Sequence, residues 1–133
     1  MVRKIVFMIN VVYLQSAQEG WMTLQAISDR VEKKCGKIPS VLHVYTDEMY
    51  KEFLLFDSVD FILVDNFFNR TENCDLKIVP EVRQKFPGAV IVAHSIFNVV
   101  DRSIYDMVIE MEVDDGRAFD LLCKSVAEKI KSA

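Results

Sequence analysis

Glycine is scarce in this chain. Only Gly20, Gly36, Gly88 and Gly116 occur, and none lies in a phosphate-cradling pattern. Neither G-x-G-x-x-G nor G-x-x-x-x-G-K-[ST] is present, which removes the glycine-loop signatures of nucleotide binding. A small flavodoxin-like flavin or nucleotide binder stays open as an alternative without a motif behind it. Cysteine is also sparse: Cys35, Cys74 and Cys123 are far apart, with no C-x-x-C pair and no histidine at zinc-finger spacing. That argues against a structural zinc site and a disulfide framework, and for a reduced, cytoplasmic protein. Basic runs stop at the pairs Arg3-Lys4 and Lys33-Lys34, and the net charge is -4. Nonspecific nucleic-acid binding needs a basic footprint that is missing here. No apolar run reaches the length of a membrane span. No Ser-His-Asp or Cys-His arrangement is legible.

What is present is enough for one core. The chain has 133 residues, of which 51% are hydrophobic and 27% charged. Such a length fits a single domain, taken as 1–133, with strands covered on both faces. Lys4 to Ile9 reads as a buried first strand. A secretory leader is the rival reading of this end, but Asn10 and Tyr13 interrupt its apolar run. The glycosylation sequon Asn69-Arg70-Thr71 has no meaning without secretion.

Further segments alternate. Asn10 to Trp21 reads as a long connection. A helix follows from about Thr23, with Leu24, Ile27 and Val31 on one face and Gly36 as its stop. Val41 to Tyr45 is a second strand, and Thr46 or Asp47 caps a second helix. Phe61 to Val64 is a third strand. Pro80 suits the first turn of a short helix that ends at Pro87-Gly88. Ala89 to Ala93 is a fourth strand, followed by a loop or distorted helix from His94 to Ser103. Asp106 to Val113 alternates apolar and polar residues, as an edge strand with one wetter face does. Asp114-Asp115 opens a last helix whose stripe is Phe119, Leu122, Val126 and Ile130. Strand–helix alternation implies a doubly wound, flavodoxin-like parallel sheet of order 2-1-3-4-5.

The stretch richest in chemistry is Phe61-Ile-Leu-Val-Asp65. It drives an apolar strand straight into a carboxylate, at the sheet edge where such folds bind ligands. Asp65 is thus the candidate for binding a cation, accepting a phosphoryl group or meeting a partner. His43, inside a strand, reads as a packed histidine. Cys123 reads as part of a packed helix and Trp21 as core cover, while Cys35 reads as a partly exposed thiol after a helix, with only Lys33 and Lys34 near to activate it.

In the order and length of its segments the chain resembles the receiver domain of bacterial response regulators (the CheY-like domains of two-component systems). Asp65 followed by Phe67-Phe68 looks like the receiver phosphoacceptor segment. Arg83-Gln-Lys-Phe-Pro-Gly-Ala-Val-Ile-Val looks like the third helix running into the fourth strand. The resemblance implies that Ser95, 30 residues after Asp65, is the switch residue that senses the phosphoryl group, with His94 as its competitor. It also implies an acidic pair after the first strand and a lysine ending the fifth. Here the first place reads Ile9-Asn10-Val11-Val12 and the second Glu110-Met111-Glu112-Val113. Asn10 and Asp65 would hold Mg²⁺ weakly or not at all, and no other cofactor is implied. Phosphoryl transfer to a carboxylate needs a cation and a lysine to neutralise charge.

The expectation is therefore a degenerate pseudo-receiver, without catalytic turnover, acting by protein–protein contact. The phosphorylatable receiver using Asp65 is the alternative. Asp106, Glu110, Glu112, Asp114 and Asp115 form the candidate interaction face, for a protein partner or a second copy of the chain. Neither nucleic acid nor membrane is expected as a partner.

Overall fold

The computed structural model describes residues 8–68, 71, 73–95 and 99–133. Its five strands are β1 (Asn10–Leu14), β2 (Ser40–Val44), β3 (Phe61–Val64), β4 (Val90–Ser95) and β5 (Met107–Glu110). All pair in parallel, in the order β2-β1-β3-β4-β5. Between and after them run α1 (Gly20–Cys35), α2 (Asp47–Phe53), α3 (Asp75–Lys85) and α4 (Arg117–Ser132). The expected doubly wound architecture is the observed one. Among the described residues of the weak fourth crossover, the helical element is a 3₁₀ turn, Arg102–Ile104, where the other crossovers carry α-helices. No helix among the described residues is long and apolar enough to cross a membrane.

Both faces of the sheet are covered. On one, Val12, Leu14, Ile62, Val64, Ile91 and Ala93 pack with Phe53 of α2 and Val79 and Val82 of α3. On the other, Val11, Tyr13, Leu63, Val92 and Ile109 pack with Ile27 and Val31 of α1 and Leu122 and Val126 of α4. Alternate residues of one strand thus feed opposite cores, and the strands read as unbroken apolar runs.

The first strand requires a correction. Lys4 to Phe7 lie outside the described residues, and Met8 and Ile9 are not strand. The strand is Asn10–Leu14, in register with β2 and β3: Val11 pairs with Phe61, and Leu14 with Val64. A run buried on both faces has no alternation to mark which residues pair, so its apolar content alone misplaces it. Asn10 is accommodated at the strand's start, where its N–H donates to Asp60 Oδ2 (2.8 Å) and its carbonyl accepts from Asp60 N (3.2 Å). The supposed long connection shrinks to residues 15–19, and α1 begins at Gly20 instead of Thr23.

Other ends shift less. Thr46 caps α2 through Met49 N (3.1 Å), and Gly36 ends α1 at φ 76°, both as expected. Pro80 lies inside α3, not in its first turn. Pro80 and Leu76, whose carbonyl loses its helical partner there, are both exposed. β4 continues to Ser95, and β5 stops at Glu110 rather than Val113. The N–H groups of Val113 and Asp114 turn back to the Glu110 carbonyl, which ends pairing.

Gly20 has a steric reason to be glycine. A Cβ built on it would lie 2.4 Å from His43 Nε2 and 2.9 Å from Gln15 Cγ. That ring is pinned, since Nε2 donates to the Gln15 carbonyl (2.7 Å). Gly20→Ala should lower stability by about 2 kcal/mol, the usual cost of overpacking. Adding His43→Ala should recover part of that loss in a urea titration.

Candidate functional site

Asp65 follows β3 directly and is buried. Its N–H donates to the Leu14 carbonyl (3.0 Å), which brings the ends of β1 and β3 together. The residue that meets its side chain is Gln15, immediately after β1: Nε2 donates to Asp65 Oδ2 (2.6 Å). The other amide atom, Oε1, accepts from Ala17 N (3.1 Å). Those two partners fix which way the amide points, because a carboxylate only accepts and a backbone N–H only donates. Phe67 N donates to Asp65 Oδ1 (2.8 Å). Burial raises the Asp65 carboxyl above its usual range; the two hydrogen bonds oppose this, and the Asp75 carboxyl adds to it.

Asn10 does not reach this site. It stands at the opposite end of β1, beside Asp60, four residues before Leu14. The position after β1 that a receiver would fill with acids carries Gln15 and Ser16. The sequence held a signal for this: the apolar run stops at Leu14, and Gln15-Ser16-Ala17-Gln18-Glu19 is polar or small throughout.

Ser95 and His94 end β4 and part ways. Ser95 is buried, and its hydroxyl donates to Asn66 Oδ1 (2.5 Å) beside Asp65. His94 turns to the α1–α4 side, where the Tyr13 hydroxyl meets its Nδ1 (2.7 Å) and the Phe119 ring lies 6.3 Å away. Burial pulls its pKa down from 6.5 to about 4, so the ring is neutral. The Tyr13 hydroxyl also reaches the His94 carbonyl (3.2 Å), so its proton is shared between that oxygen and the ring. Gln15 Nε2 also reaches the Tyr13 hydroxyl (3.3 Å). A hydrogen-bonded chain therefore joins Asp65, Gln15, Tyr13 and His94. Tyr13 and Gln15 were not foreseen, since both fell in what read as a loop.

A second buried polar pair lies near. The Tyr105 hydroxyl donates to Asp75 Oδ2 (2.6 Å), at the first residue of α3. Neither residue was singled out beforehand, because they are 30 positions apart.

The candidate acidic face is dispersed along β5 and into α4. Asp106, at the start of β5, accepts from Ile91 N (2.8 Å) and pairs with Arg83 (3.4 Å). Glu110, at the other end, pairs with Arg102. Asp114 accepts from Ala118 N (3.2 Å) and so caps α4, while Asp115 pairs with Arg117 (3.0 Å). Of the five, only Glu112 has no such partner among the described residues.

Mg²⁺, which the receiver resemblance implies, does not fit this donor set. Asp65 is one carboxylate, and its β1 neighbour presents an amide N–H to it rather than an oxygen. Among the described residues no group of three or more His, Cys, Asp or Glu could hold a metal ion.

No family model and no curated protein matches the chain in sequence. Solved structures match its fold. A response regulator from Thermotoga maritima superposes with a TM-score of 0.64 at 20% identity, over 96% of this chain and 100% of that one. The signal receiver domain of a DNA-binding response regulator from Colwellia psychrerythraea 34H gives 0.67 at 10% identity, over 92% and 98%. A CheY-like receiver domain from Methanospirillum hungatei JF-1 gives 0.63 at 14%, over 95% and 96%. The fold is thus set: the chain has the α/β fold of CheY-like receiver domains. At these identities the likeness speaks for the fold, and function rests on the site.

Proposed function

We propose that the chain is a receiver-like signalling or scaffold domain that works by protein–protein contact, with an incomplete phosphorylation site and no catalytic turnover. The observation that carries this reading is the Gln15 amide on Asp65 Oδ2 (2.6 Å). A neutral donor occupies the carboxylate oxygen that a hard cation would need, and β5 ends in Glu110 rather than a lysine. Without cation and lysine, the charge that builds up during phosphoryl transfer has nothing to neutralise it. The fold of the solved receivers supports a place in two-component signalling.

One observation favours a second reading, a phosphorylatable receiver using Asp65. Ser95 stands at the end of β4, next to the Asp65–Asn66 segment. Amide NMR spectra with and without Mg²⁺ and beryllofluoride, a phosphoryl mimic, separate the two. The expected result is an unchanged spectrum. Shifts clustered at Gln15, Asp65 and Ser95 would sink the first reading and establish the second. The double replacement Gln15→Asp with Ser16→Asp should gain a Mg²⁺ response at Asp65, because it supplies the missing carboxylates.

A further inference from the structure

The two edges of the sheet are unlike. β5 carries Glu110, is preceded by Asp106 and is followed by Glu112; charge of this kind discourages edge-to-edge pairing. β2, at the opposite edge, reads Ser-Val-Leu-His-Val and has no charged residue. Its backbone phase is fixed by β1. Ser40 N donates to the Ile9 carbonyl (2.8 Å), and the Val44 carbonyl accepts from Gln15 N (3.0 Å). Ser40, Leu42 and Val44 therefore point their peptide groups inward, and Val41 and His43 point theirs to the outer edge, where no other strand pairs among the described residues.

The side chains of those same residues form a stripe. Val41, His43 and Tyr45 alternate onto one face, and the His43 and Tyr45 rings lie 5.1 Å apart. Val41, Tyr45 and Trp21 are all exposed. Gln18, Trp21, His43 and Tyr45 line one open hollow beside the strand. Backbone groups with no pairing strand among the described residues and a largely aromatic stripe thus coincide along an edge strand without charged residues.

Charge says what covers it. Lys37 is exposed just before β2, and Asp47 and Glu48 are exposed just after it. An antiparallel two-fold partner sets the basic end of one strand beside the acidic end of the other. A parallel, head-to-tail partner sets like charge against like and does not close. Pro39 has no N–H to give, so it disfavours any register that places it opposite Tyr45. The register that pairs His43 with His43 puts Val41 opposite Tyr45 and keeps Pro39 outside the ladder.

We infer that β2 pairs antiparallel with β2 of a second copy of the chain, extending the sheet continuously through a two-fold dimer. This inference is independent of whether Asp65 is phosphorylated. A five-residue strand with flanking side chains makes a small interface. The dissociation constant should then be on the order of 10 µM, as for transient contacts.

Sedimentation equilibrium of the full chain tests it. The wild type should be a dimer at ~100 µM and dissociate on dilution. Val41→Lys should weaken it by at least ~10-fold, since it places a charge on the pairing edge. Lys37→Glu and Glu48→Lys should each weaken it, and the two together should restore it. That rescue also shows that the single variants fold. Leu121→Lys, on exposed α4, should change nothing. A wild type that stays monomeric at ~100 µM overturns the inference and leaves the edge to an extended segment of another protein. A dimer that survives Val41→Lys, or dissociates with Leu121→Lys, overturns it as well.

Discussion

Replacing Tyr105 with phenylalanine should destabilise the protein by about 3 kcal/mol, although the ring and its packing stay in place. The hydroxyl of Tyr105 donates to Asp75 Oδ2 at 2.6 Å. Asp75 is only 1% exposed, and its Oδ1 has no hydrogen-bond partner among the described residues. The phenol is thus the one side-chain donor seen on this carboxyl group. Removing it leaves a buried polar group with its desolvation cost and nothing in return. An ordinary exposed tyrosine loses a few tenths of a kcal/mol on the same change.

The loss belongs to the pair, so a double-mutant cycle should expose it. Asp75→Leu together with Tyr105→Phe removes both polar groups while keeping the branched heavy-atom skeleton at residue 75 and the ring at residue 105. The pair should be more stable than Tyr105→Phe alone by at least ~1 kcal/mol. Urea titrations of the four proteins, with equal slopes, measure the coupling. Additive losses would mean that the hydroxyl and carboxyl do not depend on each other. Asp75 also raises the Asp65 carboxyl, so the same Asp75→Leu change should make Asp65 easier to ionise.

Much of this architecture was legible before any coordinates, and the reasons are specific. β3 was placed to the residue because Phe61-Ile-Leu-Val lies between Asp60 and Asp65, which mark both ends. Sheet order followed from alternation and crossover handedness, which do not depend on exact boundaries. Asp65 was legible because a carboxylate right after an apolar strand has few other places to be. β1 was not. Ten mostly apolar residues from Ile5 to Leu14 offer several five-residue strands, and only pairing with β2 and β3 chooses one. That single slip hid Gln15 and Tyr13 and put Asn10 where it is not. The Tyr105–Asp75 pair was out of reach for another reason: contact between residues 30 apart arises from packing, not from local pattern. The acidic residues near the C-terminal end were visible as a cluster, and Asp114 at the head of the last helix was legible from its charge, but a sequence does not reveal that Asp106 holds Arg83.

Acid should unfold this protein earlier than its composition implies, and His94 is the cause. In the folded chain its pKa is pulled from 6.5 to about 4 by burial. The unfolded chain takes up a proton at this residue near pH 6.5, whereas the folded chain refuses it until about 4. The stabilising contribution is therefore complete above 6.5 and is lost as the pH falls from there towards 4. The displacement corresponds to about 3 kcal/mol across that window. Asp65 works with the opposite sign. Its folded pKa is raised, so the folded chain binds its proton first, and stability is regained as the pH falls from that raised value towards 3.8. His94→Gln keeps an oxygen to accept from the Tyr13 hydroxyl and has no proton to take up. It should flatten the fall in urea midpoint as the pH drops below 6.5, while Asp65→Asn should steepen that fall, because it removes the opposing group. An unchanged slope in His94→Gln would mean that the imidazole opens to water before it charges. The chain from His94 through Tyr13 and Gln15 to Asp65 makes the two titrations neighbours. The buried, neutral His94 thus stands at one end of a chain whose other end is the amide on Asp65.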